Sequence, residues 1–222
     1  IARNLLAAGF TIAGFDVAAA ARQQLAACGG TPTEDLANVA REAAVVVLML
    51  PDSNVVERGV RDAGFLGALT PGHIVVDMSS SEPLRTRQLA AELANVGVAL
   101  LDAPVSGGVR GAEAATLTIM AGGEAEQLAR VHEVLTTLGK VTHVGPIGAG
   151  HALKALNNLL SATHLLVTGE AMLAGERFGL DPTTMLAVFN ASSGRSGSTE
   201  AKWPNFVLPN LYDSGFGLRL ML

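Results

Sequence analysis

From the start of the chain to about Gly145, short runs of aliphatic and β-branched residues alternate with stretches whose apolar positions recur at helical spacing. The apolar runs occupy 10–17, 44–50, 73–78, 98–102, 116–121 and 141–144. Several are near-continuous Val, Ile and Leu, the pattern of strands buried on both faces of a parallel sheet. The helical stretches occupy 1–8, 18–28, 33–42, 55–62, 82–96 and 125–138. Strand and helix alternating in this way predict βαβ units and a doubly wound α/β domain.

After Gly150 the pattern changes. Residues 151–178 keep apolar side chains at helical spacing with no strong breaker before Gly179, which predicts one helix of roughly 28 residues and about 42 Å. A helix of that length bridges two domains or is buried in an assembly. Asp181-Pro182 opens another helix with proline at its first position. The Ser- and Gly-rich segment 190–198 reads as a loop, with Ser192, Ser193 and Arg195 either on the substrate side or in a plain connection. The domain boundary falls near Pro146: an α/β domain over 1–146 and a helical domain over 147–222. The apolar segment 216–222 stops abruptly, so the helical domain is expected to be incomplete.

Composition narrows the function classes. Apolar residues make up 49% of the 222 and charged residues 16%, enough for a sizeable core and unlike a disordered chain. The net charge is −5 and the 15 basic residues form no run, which argues against a nucleic-acid partner. Cys28 is the single cysteine; it excludes an internal disulfide, fits a reducing compartment, and with no histidine nearby reads as an ordinary thiol. The longest apolar stretch, 152–174, is interrupted by Lys154, Asn157, Asn158, His164 and Glu170, so no membrane span is expected. No signal peptide is visible at the start, and a cytoplasmic location is expected.

Candidate chemistry sits where predicted strands end, the place at which open α/β sheets bind ligands. Asp16 closes the run 10–17, after a helix over 1–8 with Gly9 as its cap. In dinucleotide-binding domains an acidic residue about 20 residues beyond the start of a G-x-G-x-x-G loop takes the adenosine ribose hydroxyls. That glycine loop is absent from the chain; placed just before Ile1 it would give Asp16 the right spacing. Asp16 is therefore either a turn residue or a ribose ligand. As a ribose ligand it favours NAD over NADP, because a carboxylate repels a 2′-phosphate and no arginine follows it before Arg22. Leu50-Pro51-Asp52 and Asp77-Met78-Ser79-Ser80-Ser81 end the next two runs, either as strand terminators and a helix start or as a cofactor edge.

Two stretches are sharper. Asp102-Ala103-Pro104-Val105-Ser106-Gly107-Gly108 follows a buried strand, and Ser106, Gly107 and Gly108 permit the backbone angles of an amide nest for an anion, or else a flexible loop. Gly148-Ala149-Gly150-His151-Ala152-Leu153-Lys154-Ala155-Leu156-Asn157-Asn158 opens the long helix. Its glycines admit another backbone or a ligand at close range. Lys154 and Asn158 are four apart and share a helix face, with His151 three before Lys154. Among apolar neighbours Lys154 either snorkels to solvent or is held in a site. Held in a site, a lysine whose pKa desolvation lowers can take or give the hydroxyl proton that accompanies hydride transfer. The five histidines show no metal-ligand spacing, and neither a P-loop nor a G-x-S-x-G elbow is present.

These pieces resemble the β-hydroxyacid dehydrogenases, a family that includes 3-hydroxyisobutyrate dehydrogenase and tartronate semialdehyde reductase. The resemblance rests on the Asp102–Gly108 run and the Gly148–Asn158 run, supported by Ala2-Arg3-Asn4-Leu5, Met49-Leu50-Pro51-Asp52, Val76-Asp77-Met78-Ser79 and Thr116-Leu117-Thr118-Ile119-Met120. It implies a Rossmann-type nucleotide-binding domain followed by an all-helical domain. It also implies an oxidoreductase that moves a hydride between NAD, with NADP less favoured, and a small 3-hydroxy acid. Lys154 would be catalytic, and Ser106, Gly107, Gly108 and Asn158 would bind substrate. Asp16, Leu50, Pro51 and Ser80 would bind cofactor, with no metal, and the chain would form a homodimer or homotetramer. Three departures stand out: the missing glycine loop, the absence within the chain of the family's later Lys-Asp pair, and Ala115 where glycine is common before Thr116. The alternatives are a tartronate semialdehyde reductase and, in another class, a non-catalytic dehydrogenase-like binding module.

Overall fold

The computed structural model describes residues 1–215; the terminal segment 216–222 lies outside the described residues. The chain divides into two compact units, Ile1–Lys154 and Ala155–Leu222.

The first unit is a three-layer α/β structure. Its elements in order are α1 (Ala2–Ala7), β1 (Ala13–Phe15), α2 (Ala19–Ala27), β2 (Thr31–Thr33), α3 (Leu36–Glu42), β3 (Val45–Leu48), α4 (Ser53–Val60), α5 (Ala63–Ala68), β4 (Ile74–Asp77), α6 (Pro83–Ala94), β5 (Ala99–Asp102), β6 (Val105–Ser106), α7 (Gly108–Ala114), β7 (Leu117–Gly122), α8 (Ala125–Thr136) and β8 (Gly139–Gly145). Strands β3, β4 and β5 run parallel, with Leu48 opposite Asp77 and Asp77 opposite Asp102, so their carboxyl ends are level. β1 and β2 form a separate two-stranded parallel sheet.

The parallel expectation holds for β3–β5 and for β7 against β8, but β7 runs antiparallel to both β5 and β6. A strand buried on both faces carries the same apolar pattern in either direction, so this reversal is invisible to periodicity. Both faces are indeed covered. Ile74, Val76 and Met78 join one core with Leu128, Val131 and Leu135 of α8, whereas Val75 joins another with Val56 and Val60 of α4, Phe65 of α5 and Leu89 and Leu93 of α6. The alternation of neighbouring β4 residues between two cores is the doubly wound arrangement seen from inside.

Local chemistry fixes the helix starts. Asp35, Asp52 and Asp62 each accept backbone N–H groups of the turn that follows, and so start α3, α4 and α5. The expected helices over 33–42 and 55–62 accordingly begin at Leu36 and Ser53, three residues later and two earlier. The short elements β2, α5, β6 and α7 were not apparent from periodicity, since none is long enough to show a repeat.

A single helix, α9 (Ala149–Phe178), extends from the first unit into the second; its 30 residues span about 45 Å. It ends where Gly179 takes a positive φ of 95°. In the second unit α10 (Pro182–Asn190) starts from Asp181, whose carboxylate accepts from Thr184 N. The expected loop over 190–198 lies between α10 and a π-helical segment (Ser198–Val207), for which the sequence offered no reading. Met172 of α9 packs with Met185 and Leu186 of α10, and Phe189, Trp203 and Leu208 border this small core. Among the described residues no helix is long and apolar enough to cross a membrane.

Candidate active site

Lys154 lies in the second turn of α9 and is only 7% exposed. Burial holds its amine below the usual lysine range, and among the described residues no acidic partner offsets the effect. It stands in this setting because the start of α9 is pinned to the sheet. The helix carries no capping side chain of its own at Gly148. Asp102, at the end of β5, supplies the cap from a distance: Oδ1 accepts from Gly148 N and Oδ2 from His151 N, both at 2.8 Å. A carboxylate at a helix N-terminus meets both unpaired N–H groups and the positive end of the helix dipole.

The glycines permit this approach. A methyl group at Gly150 would overlap the Met120 carbonyl oxygen and lie 2.9 Å from Asp102 O and Oδ2. One at Gly122 would lie 2.9 Å from Gly150 N and overlap the Asp102 carboxylate. Gly148 has φ +86° and faces Pro83 O and the Arg87 side chain. Of the two readings of this glycine pair, close approach of another backbone is what the structure contains.

A buried polar cluster continues from there. The His151 ring places Nδ1 2.9 Å from Thr86 Oγ1 and Nε2 3.1 Å from Ser79 O. The Asp77 carboxylate accepts from Ser79 N at 2.9 Å and from Ser81 Oγ at 2.7 Å. Ser79 Oγ in turn accepts from Leu50 N at 2.9 Å, which joins the end of β3 to the end of β4. Two of the three consecutive serines are thus used inside the protein, while Ser80 between them is exposed. Leu50 is half-buried and Pro51 exposed beside it, so the Leu50-Pro51 edge and Ser80 share the carboxyl end of the parallel strands.

Ser106 ends β6, paired with Thr118 of β7. Gly107 and Gly108 have φ of +129° and +61° and open α7, so this stretch is an ordered strand-to-helix turn rather than a flexible loop. It follows the capping residue Asp102 by four positions. Asp16 sits at the end of β1, in the separate small sheet, and its Oδ1 accepts from Ala18 N at 2.8 Å, the turn role the sequence allowed. Arg22 is committed nearby to Asp16 O at 2.7 Å and to Glu34 at 3.2 Å. Asn158 lies one helical turn beyond Lys154, in the second unit. Among the described residues no cluster of side chains suits a metal ion.

Sequence reasoning had no role for Asp77, Ser79, Thr86, Asp102 and His151 as a group. The available signal was an aspartate ending each of two apolar strands, Asp77 and Asp102.

The donor set fits a dinucleotide. Level strand ends present exposed Pro51 and Ser80 together, Asp16 closes β1, and Lys154 is buried near the start of a helix pinned to the end of β5.

Comparison with known proteins agrees. Residues 1–145 match the NAD binding domain of 6-phosphogluconate dehydrogenase. Residues 148–222 match the domain described as NAD-binding of NADP-dependent 3-hydroxyisobutyrate dehydrogenase. The chain is 38% identical to 2-(hydroxymethyl)glutarate dehydrogenase of Eubacterium barkeri, over 99% of its own length and 74% of that protein's. It is 37% identical to NAD-dependent L-serine dehydrogenase of Pseudomonas aeruginosa, over 100% and 77%. Its fold matches the solved structure of Mycobacterium tuberculosis 3-hydroxyisobutyrate dehydrogenase with L-serine, with a TM-score of 0.93 at 34% identity, covering 99% of this chain and 77% of that one. Pinned helix, buried lysine and strand-end edge thus occur in a chain that belongs to the β-hydroxyacid dehydrogenases, the family of 3-hydroxyisobutyrate dehydrogenase.

Proposed function

We propose that the protein is an NAD-dependent dehydrogenase of a small 3-hydroxy acid and that Lys154 moves the hydroxyl proton. The observation that carries this reading is a buried lysine with a lowered pKa and, among the described residues, no acidic partner, near the start of a helix fixed to the sheet. The substrates named for the similar proteins share one feature: 3-hydroxyisobutyrate, L-serine and 2-(hydroxymethyl)glutarate each bear a hydroxymethyl group on the carbon next to a carboxylate. We assign that group as the reacting one.

Bound NAD supplies the acceptor for the carbinol hydride. The neutral Lys154 amine takes the hydroxyl proton as the C–O bond becomes a carbonyl; in reduction its ammonium returns that proton. The Ser106-Gly107-Gly108 turn holds the substrate carboxylate, a role that its positive φ angles support. Asn158 steadies the substrate oxygen or the lysine. Leu50, Pro51 and Ser80 line the cofactor, and the free carboxylate oxygen of Asp16 takes the ribose hydroxyls, which favours NAD over NADP. Assembly as a homodimer or homotetramer is supported by the exposed Leu156, Leu159, Leu160, Leu166 and Val167 of α9. A cytoplasmic location suits the exposed free thiol of Cys28.

The test is formation of NADH or NADPH with 3-hydroxyisobutyrate, L-serine, 2-(hydroxymethyl)glutarate and glycerate, each with NAD and with NADP. Turnover of at least one, faster with NAD, is expected. NADH binding without turnover of any would favour a non-catalytic binding module.

A further inference from the structure

Proton transfer by Lys154 does not of itself require a histidine sealed inside the protein three residues earlier. The His151 ring is fully buried, and its contacts belong to different elements. Nε2 faces the Ser79 carbonyl, which can only accept, so this nitrogen donates. Nδ1 meets the hydroxyl of Thr86 on α6. The backbone N–H of the same residue is held by Asp102 at the end of β5. Carboxylate oxygens of Asp77 and Asp102 lie 3.8 and 3.7 Å from the ring nitrogens. One residue therefore ties the first turn of α9 to the ends of β4 and β5 and to α6. Lys154 is three positions on, on the same face of the helix.

We infer that His151 is a positioning residue for Lys154: its ring fixes the rotation and depth of the first turn of α9 and so sets where the lysine amine stands for proton transfer. The inference rests on the catalytic reading of Lys154. Asp102 and the close packing of Gly150 hold the backbone of this turn against the sheet; the ring contacts to Ser79 O and Thr86 Oγ1 add two side-chain anchors on the face that carries Lys154. A misplacement of about 1 Å at a catalytic group costs up to roughly 100-fold in rate.

The arrangement makes a specific demand on replacements. In the neutral ring Nδ1 accepts the Thr86 hydroxyl proton, for which Glu82 O at 3.1 Å competes; glutamine offers one N–H donor toward Ser79 O and one carbonyl acceptor toward that hydroxyl. Leucine fills the space and reproduces neither. The test compares His151→Leu, His151→Gln and Thr86→Val by kcat, by NADH affinity from fluorescence titration, and by the deuterium isotope effect on the carbinol carbon. His151→Leu is expected to lower kcat roughly 10–100-fold with NADH affinity retained. Thr86→Val should shift kcat in the same direction by less, and His151→Gln should restore most of it. A His151→Leu variant with the parent kcat overturns the inference. So does a loss of kcat and NADH affinity together that His151→Gln fails to restore, since that is a general loss of fold. Lys154→Met serves as the reference. If it turns over normally, the catalytic reading falls and the positioning role with it. If it is inactive while His151→Leu is unaffected, only the positioning role falls.

Discussion

Lys154 is buried in the second turn of α9, and Asp102 caps the start of the same helix. Lys154 was legible in the sequence as a lone cation among apolar residues at helical spacing, and the structure buries it as that pattern allows. Burial without an acidic partner lowers its pKa, so the neutral amine becomes available below the usual lysine value of about 10.4. In the oxidation direction kcat/KM should therefore rise with pH and level off below that value. In the reduction direction it should fall across the same range, because the ammonium is the form that donates. A pH–rate profile in both directions checks the pairing; a limb at the ordinary lysine value would contradict it. Asp102 was legible as part of a motif but not in its role, because the N–H groups it serves are 46 and 49 residues away in sequence. Asp102→Asn leaves one oxygen for two donors and turns an amide toward the other, so a loss of about 1–3 kcal/mol in urea unfolding is expected.

At the scale of elements, the strands and the longer helices followed from periodicity, and their ends moved by a few residues wherever an aspartate cap set them. What periodicity could not supply was direction and close approach. The two-residue strand β6 and the seven-residue helix α7 are too short for a pattern, and the reversal of β7 depends on pairing rather than on composition. The glycines of α9 are the clearest instance. Gly148 and Gly150 suggested room for either a ligand or a backbone, and the contacts of Gly150 with Met120 O and Asp102 decide for the backbone. Because Met120 O and Asp102 O are main chain, they cannot rotate away. Gly150→Ala should cost about 1–3 kcal/mol and lower kcat along with stability, as the start of α9 is pushed off the sheet. Thermal unfolding and turnover measured together check this; an unchanged melting temperature would show that the helix start is more yielding than its packing indicates.

For the molecule as a whole, the order of a doubly wound unit followed by a helical one could be read from the change of pattern after Gly150, and the family from two motifs at strand and helix ends. The buried cluster that connects those motifs could not, since it exists only when β4, β5, α6 and α9 are brought together in the fold. The exposed leucines on α9 belong to the same scale: Leu159 and Leu160 stand outward on a helix of 30 residues, the surface on which the proposed assembly would form. Replacing Leu159 and Leu160 with glutamate should shift sedimentation toward the monomer if copies of the chain meet there; an unchanged sedimentation coefficient would place the interface elsewhere.

The most direct test of the central claim is the turnover of Lys154→Met, with the acid that the parent oxidises best, beside its affinity for NADH. The account predicts a fall in kcat of roughly 10²–10⁴-fold with NADH affinity retained, the effect of removing a proton-transfer group from an otherwise intact site. Parent-like turnover in the variant would contradict it.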